Sequence, residues 1–238
     1  FIKYVSQPFF CQQLGVFSKE NEPLELIQKF IYKIPFYFFK INYQLKSSND
    51  CLALNFNKRT NYVLSLHSKY DVLKTNYRKD RKYRINQVNK EKPNLVSVNS
   101  KRIISLTKEH YSFMNLPNES FIKLEQLIDF SVRNNKGFIK SVLDNNQKLL
   151  TACFFLKSKN RIIYLFSVST PEGKKRHMPS FIIDNVINEY ANTAFLLDFE
   201  GSMIPGIASF YKSFGAVKEE YYQLKKNKIT SFFRLFKS

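Results

Sequence analysis

Asp198, Glu200, Ser202 and Tyr211 are the residues of this chain whose types and spacing invite chemistry. They share one stretch, AFLLDFEGSMIPGIASFYKSFGA, from Ala194 to Ala216. Glu200, or Asp198 two residues before it, could accept a proton, and a tyrosine hydroxyl could give one. The same acids would also suit a solvated loop, with Asp198 capping or bracing the turn, and Tyr211 would suit an apolar interior. His67, His110 and His177 are scattered without metal-ligand spacing, and no Ser/His/Asp or Cys/His set is recognisable. No metal is expected, and nucleophilic catalysis has no support.

The elements that must position these groups follow from the apolar pattern. Ala194 to Leu197 reads as a short strand apolar on both faces, which belongs in the middle of a covered sheet. Its polar exit is where α/β sheets collect ligands. Pro205 suits the first turn of a helix, Ile207, Phe210, Tyr211 and Phe214 follow at helical spacing, and Gly215 closes it. Upstream, Gly137 to Leu143, Leu149 to Leu156 and Arg161 to Val168 are strands joined by short polar turns, hence an antiparallel meander. A helix near Met178 to Ala191 separates the meander from the organising strand. Before the meander come a strand at Leu95 to Val98 and helices at Lys101 to Met114 and, behind an Asn118 cap, Glu119 to Val132. Val217 to Leu224 is a last strand, and Phe232 to Phe236 a closing tail.

The first 66 residues read strand (Phe1 to Phe10), helix, strand (Phe36 to Ile41), loop, strand (Asn61 to Leu66). That helix is capped by Asn21, with Pro23 just inside and an apolar face from Leu24 to Ile34. Tyr70 to Val88 reads as one basic helix, with Arg78, Lys79, Arg81, Lys82 and Arg84 around Tyr77 and Tyr83. Such interleaving could grip a phosphate backbone, and equally it describes a solvated helix face.

The chain has 238 residues, with 38 Lys and Arg against 19 Asp and Glu, for a net charge of +19. Lysine far outnumbers arginine, Asn, Ile, Phe and Tyr abound and Trp is absent, as in a protein written by an AT-rich genome. The charge therefore fits a solvated basic surface as well as a polyanion partner. No run approaches the ~20 apolar residues of a membrane span. Cys11, Cys51 and Cys153 lack disulfide or metal spacing, which suits a reduced, cytoplasmic protein. The start at Phe1, inside strand-like sequence, suggests an N-terminal truncation.

From Leu95 to Leu224 the order is strand, two helices, three-strand meander, helix, strand, helix, strand, which resembles the GNAT acyltransferase fold. LDFEGSMIPGIASFYKSFGA, Leu197 to Ala216, is similar to the signature of the FemAB-like, BioF2-type branch of that superfamily. The resemblance implies an α/β (α+β) fold: a mixed, mostly antiparallel central sheet flanked by helices, in two GNAT-like lobes. Residues 1–68 would be the remnant of a truncated first lobe, 69–93 a basic connecting helix and 94–238 the catalytic lobe.

What the resemblance implies for function is an N-acyltransferase, in which an amine attacks the acyl carbon of acyl-CoA directly. Backbone groups at Phe166, Ser167 and Val168 would meet the donor, and Gly173, Lys174, Lys175 and Arg176 its pyrophosphate. Tyr211, four residues before Gly215, stands where the family's proton-donating tyrosine does; Glu200 or Asp198 would take the amine's proton. Of the family's glycine-rich phosphate loop only Gly173 remains, with His177 and Pro179 at places of small residues. FemAB proteins proper use aminoacyl-tRNA, and the lysine of their Phe-Lys-x-x-Phe-Gly pattern falls on Tyr211 here, which favours acyl-CoA. The alternatives are thus a tRNA-dependent FemAB-type transferase, or a catalytically silent basic module that binds nucleic acid. The acceptor would be a small-molecule or peptide amine.

Overall fold

The computed structural model describes residues 3–17, 24–47, 56–112 and 115–227. The chain divides into a smaller unit of Phe1–Asn61, Gly201–Met203 and Lys218–Ser238, and a larger one of Tyr62–Glu200 and Ile204–Val217. These lines differ from the expected 1–68, 69–93 and 94–238. The basic helical stretch is part of the larger unit, and Lys218–Asn227 part of the smaller. The expected Asn21 cap, Cys51 and the Phe232 to Phe236 tail lie outside the described residues.

In the smaller unit, β1 (Lys3–Ser6) and β2 (Phe38–Gln44) pair in parallel, joined through helix α1 (Leu24–Tyr32). Parallel neighbours need such a crossover. β2 pairs antiparallel with β9 (Val217–Asn227). Ile27 of α1, Leu45 and Tyr222 form the buried centre of this unit, with Val16, Ile31, Tyr43 and Phe56 packed around it.

The larger unit is a sheet covered on both faces. The meander is present as β5 (Gly137–Leu143), β6 (Leu149–Ser158) and β7 (Arg161–Ser169), all antiparallel, with the two-residue β4 (Leu95–Val96) at the edge beside β5. On the other side of β7 lies β8 (Leu196–Asp198), in parallel, and β8 pairs antiparallel with Val63–Ser65 of β3 (Asn57–Ser65). The strand beside β8 thus comes from the segment expected to belong to the first lobe. Seven successive buried residues, Leu149 to Phe155, mark β6 as a central strand with no solvent face.

Two helix layers provide the cover. Helices α3 (Lys79–Glu91), α7 (Met178–Glu189) and α8 (Pro205–Lys212) contribute Ile85, Val88, Ile182, Ile183, Val186 and Ala208 to a core shared with Cys153, Phe155, Ile162 and Tyr164. Helices α4 (Ser100–His110) and α5 (Asn118–Arg133) serve the opposite face. There, a Cβ on Gly137 of β5 would meet both Phe154 and Ser131 of α5.

Local chemistry explains where the helices depart from expectation. The stretch from Tyr70 is two helices, α2 (Tyr70–Thr75) and α3, because the Arg78 N–H leaves the helical ladder to donate to the Ser213 carbonyl. Asn118 is the first helical residue of α5 and not its cap; Pro117 holds the cap position, and the Asn118 oxygen accepts from Lys108 at 2.9 Å. Gly215 does stop α8 in the left-handed region, at φ +81°.

Candidate functional site

The pairing of β7 with β8 is short. Arg161, Ile162 and Ile163 face Leu196, Leu197 and Asp198, and β8 then ends. From Tyr164 onward that edge of β7 has no β8 partner, so the two strands part where a ligand can enter. A bulge at Leu165 shapes what the opening meets: Phe154 pairs with Phe166 and Phe155 with Tyr164, leaving Leu165 over. An extra residue reverses the alternation beyond it. Tyr164, Ser167 and Ser169 consequently line one cavity, while the side chains of Phe166 and Val168 are buried away from it.

That cavity measures about 420 Å³ and lies wholly within the larger unit. Its other walls are Arg81 and Arg84 of α3, Tyr111, Lys174, His177, Pro179 and Ser180 near the start of α7, and Gly206, Ile207, Phe210 and Tyr211 of α8. The volume is in the range of small-ligand sites.

Tyr211 is held by rings. It stacks on Phe199 at 4.6 Å and meets Tyr164 edge-on at 6.4 Å. Burial, then the nearby Glu200 charge, raises its hydroxyl well above the ordinary tyrosine range, so it stays protonated at neutral pH.

The two carboxylates divide their work. Asp198 is buried, pairs with Arg161 at 2.6 Å, and accepts the Glu200 N–H on its other oxygen at 2.9 Å. Bracing the turn is its observed role. Glu200 sits at φ +55°, a left-handed conformation that costs a residue with a Cβ about 1 kcal/mol. Its carboxyl makes no hydrogen bond or ion pair among the described residues, and burial, with Asp198 second, pushes it up to about 8. Neither carboxylate lines the cavity itself.

The expected phosphate loop is built differently from a backbone cradle. Gly173 lies in the short helix α6 (Pro171–Lys175), where its N–H is capped by the Thr170 hydroxyl at 2.9 Å. A Cβ there would stand 2.3 Å from the Leu150 carbonyl oxygen, so close packing against β6 accounts for this glycine. Arg176 is committed to Glu91 and Glu172, at 2.8 and 3.2 Å. Lys175 is exposed and outside the cavity lining, whereas Lys174 lines the cavity with its ammonium 5.2 Å over the Tyr111 ring. Among the described residues no three His, Cys, Asp or Glu side chains come together as metal ligands. No helix there is long and apolar enough to cross a membrane.

Sequence reading placed Arg81 and Arg84 on a basic helix that could grip phosphate or face solvent, and His177 in the phosphate loop, but did not bring them into one cavity. Arg81 is 6% exposed, with its guanidinium 4.6 and 4.7 Å from the ring centres of Phe210 and Phe214. The missed signal is periodic: Arg81, Ile85 and Val88 are the buried face of α3, at i, i+4 and i+7. A cation stands on the apolar stripe.

No protein-family model matches the chain, and no curated protein matches it. Solved structures do. The crystal structure of FemX is similar with a TM-score of 0.58 at 11% identity, over 89% of this chain and 77% of that one. The fold is FemX-like: a mixed α/β sheet flanked by helices. L-PGS from Bacillus licheniformis is similar at 0.54 and 10% identity, over 86% of this chain and 73% of that one. A functionally unknown conserved protein from Staphylococcus epidermidis scores 0.50 at 14% identity, over 86% and 78%. Within this FemX-like fold the parting of β7 from β8, the bulge and the cavity are all features of the larger unit.

Proposed function

We propose that the chain is an N-acyltransferase that moves an acyl group from a donor in the cavity to a primary amine. The observation that carries this reading is the opening between β7 and β8, which brings the part of β7 beyond β8 and Tyr211 to one cavity. The amine nitrogen attacks the acyl carbon, a new C–N bond forms, and the bond from that carbon to the donor's leaving atom breaks. Glu200, which stands behind the cavity wall, takes the proton shed by the amine through water. Titrating near 8, its base form grows as pH rises through the neutral range. Tyr211 supplies the proton to the leaving atom. Backbone N–H groups on the open edge of β7 would stabilise charge on the carbonyl oxygen.

Acyl-CoA is the donor favoured by a tyrosine at 211. A second reading, transfer from aminoacyl-tRNA, has its own support: the net charge of +19 suits a polyanionic donor. Calorimetric titration with acetyl-CoA and with tRNA, each at two salt concentrations, separates the two. Acetyl-CoA binding that survives added salt supports the first donor. Steeply salt-dependent tRNA binding without acetyl-CoA binding supports the second, and binding of neither defeats the reading.

A further inference from the structure

Among the described residues the cavity carries three cations, Arg81, Arg84 and Lys174, and no aspartate or glutamate lines it. Arg81 is almost fully buried. Its Nε donates to the Ser213 hydroxyl at 2.8 Å and its Nη1 to the Ser180 hydroxyl, while Nη2 donates to nothing among the described residues. Arg81 lines the cavity and Nη2 is not sealed from solvent, so this donor is available to a ligand there. Arg84 reaches the same cavity from the next turn of α3, with Nη1 2.9 Å from His177 Nε2. Since the guanidinium can only donate, that nitrogen accepts.

The backbone at the start of α7 offers little in exchange. The N–H groups of Gly173, Lys174, Arg176 and His177 are all taken, by the Thr170 hydroxyl and by the carbonyls of Thr170, Glu172 and Lys174. We propose that Arg81, Arg84, Lys174 and His177 form a side-chain anchor for a phosphate group of the ligand, in place of a backbone amide cradle. Guanidinium forks suit this task because their paired N–H groups match phosphate oxygens. Ring contacts and two hydroxyls fix the Arg81 plane in advance, so little ordering is required on binding. The anchor rests on the cavity's being the donor site of the proposed transferase. The phosphate would be the pyrophosphate of a CoA ester or a phosphodiester of a tRNA end.

Calorimetry on the 238-residue chain with inorganic pyrophosphate, CoA and uncharged tRNA tests this. Pyrophosphate is expected to bind the wild type and to bind Arg84→Gln at least tenfold more weakly. Arg81→Lys keeps the charge but loses the fork, and is expected to weaken binding by a similar factor with the circular dichroism spectrum unchanged. Arg176→Gln, whose partners are Glu91 and Glu172, is expected to bind within twofold of wild type. Of the two larger ligands, the one that loses affinity in Arg84→Gln by the same factor as pyrophosphate identifies the source. No pyrophosphate binding at millimolar concentration, or equal binding by wild type and Arg84→Gln, overturns the anchor. Binding that responds to these variants while no acyl group ever reaches an amine keeps the anchor and defeats the transferase reading.

Discussion

Glu200 ties the fold's stability to its chemistry, and Glu200→Gln measures the tie. The carboxyl titrates near 4.5 when exposed and near 8 in the folded chain, because burial and then Asp198 disfavour its charge. A folded value above the unfolded one means that the native state holds the proton more tightly between these two pH values. Its stability is therefore fully present below about pH 4.5 and is lost as pH rises through the folded value. With 1.36 kcal/mol for each unit, the loss is about 3 kcal/mol by pH 7 and approaches 5 kcal/mol by pH 9. Glutamine has the same shape and cannot ionise, so wild type minus Glu200→Gln isolates this one group from all other titrations. Urea unfolding followed by circular dichroism is the assay, at pH 5, 7 and 8.5. The two proteins should be close at pH 5, and Glu200→Gln should be the more stable by several kcal/mol at pH 8.5. A constant difference across the range would refute the assignment of a raised, unpaired Glu200.

Three further outcomes follow from particular contacts. Tyr211→Phe keeps the stack on Phe199 and should leave stability within about 1 kcal/mol, while turnover falls on the order of 10²-fold; unchanged turnover under rate-limiting chemistry would remove Tyr211 from the mechanism. Gly173→Ala forces a methyl against the Leu150 carbonyl and should cost about 1–3 kcal/mol in urea unfolding; a neutral change would mean that packing does not account for this glycine. Asp198→Asn leaves Arg161, a quarter exposed, without its anion, and should cost about 2–3 kcal/mol, below the range for fully buried pairs. The same change should lower the Glu200 midpoint, read from the pH profile, since the Asp198 charge is one of its two causes.

Periodicity made much of this fold legible. The meander, the apolar run at Leu196 and Leu197, Pro205 in the first turn of α8 and the left-handed Gly215 all follow from local rules that the tertiary structure obeys. Strand partnership did not, because pairing is non-local: nothing in NYVLSL says that Val63–Ser65 will sit beside β8. The same limit hid the assembly of the cationic cluster. Arg81 and Arg84 lie about 90 residues from Lys174 and His177 in sequence, and only the packing of α3 on α7 joins them. Gly173 misled for a different reason: a glycine that admits a carbonyl and one that admits a phosphate look identical in sequence.

The central claim is that this FemX-like fold transfers an acyl group from the cavity to an amine. Mass spectrometry of reactions holding the chain, a primary amine and either acetyl-CoA or aminoacyl-tRNA tests it most directly, with Tyr211→Phe and Glu200→Gln run beside the wild type. The account predicts a new amide from one of the two donors, formed on the order of 10²-fold more slowly by Tyr211→Phe. Amide formation at equal rates by wild type and both variants, or intact donor in every reaction across a broad set of amines, would contradict it.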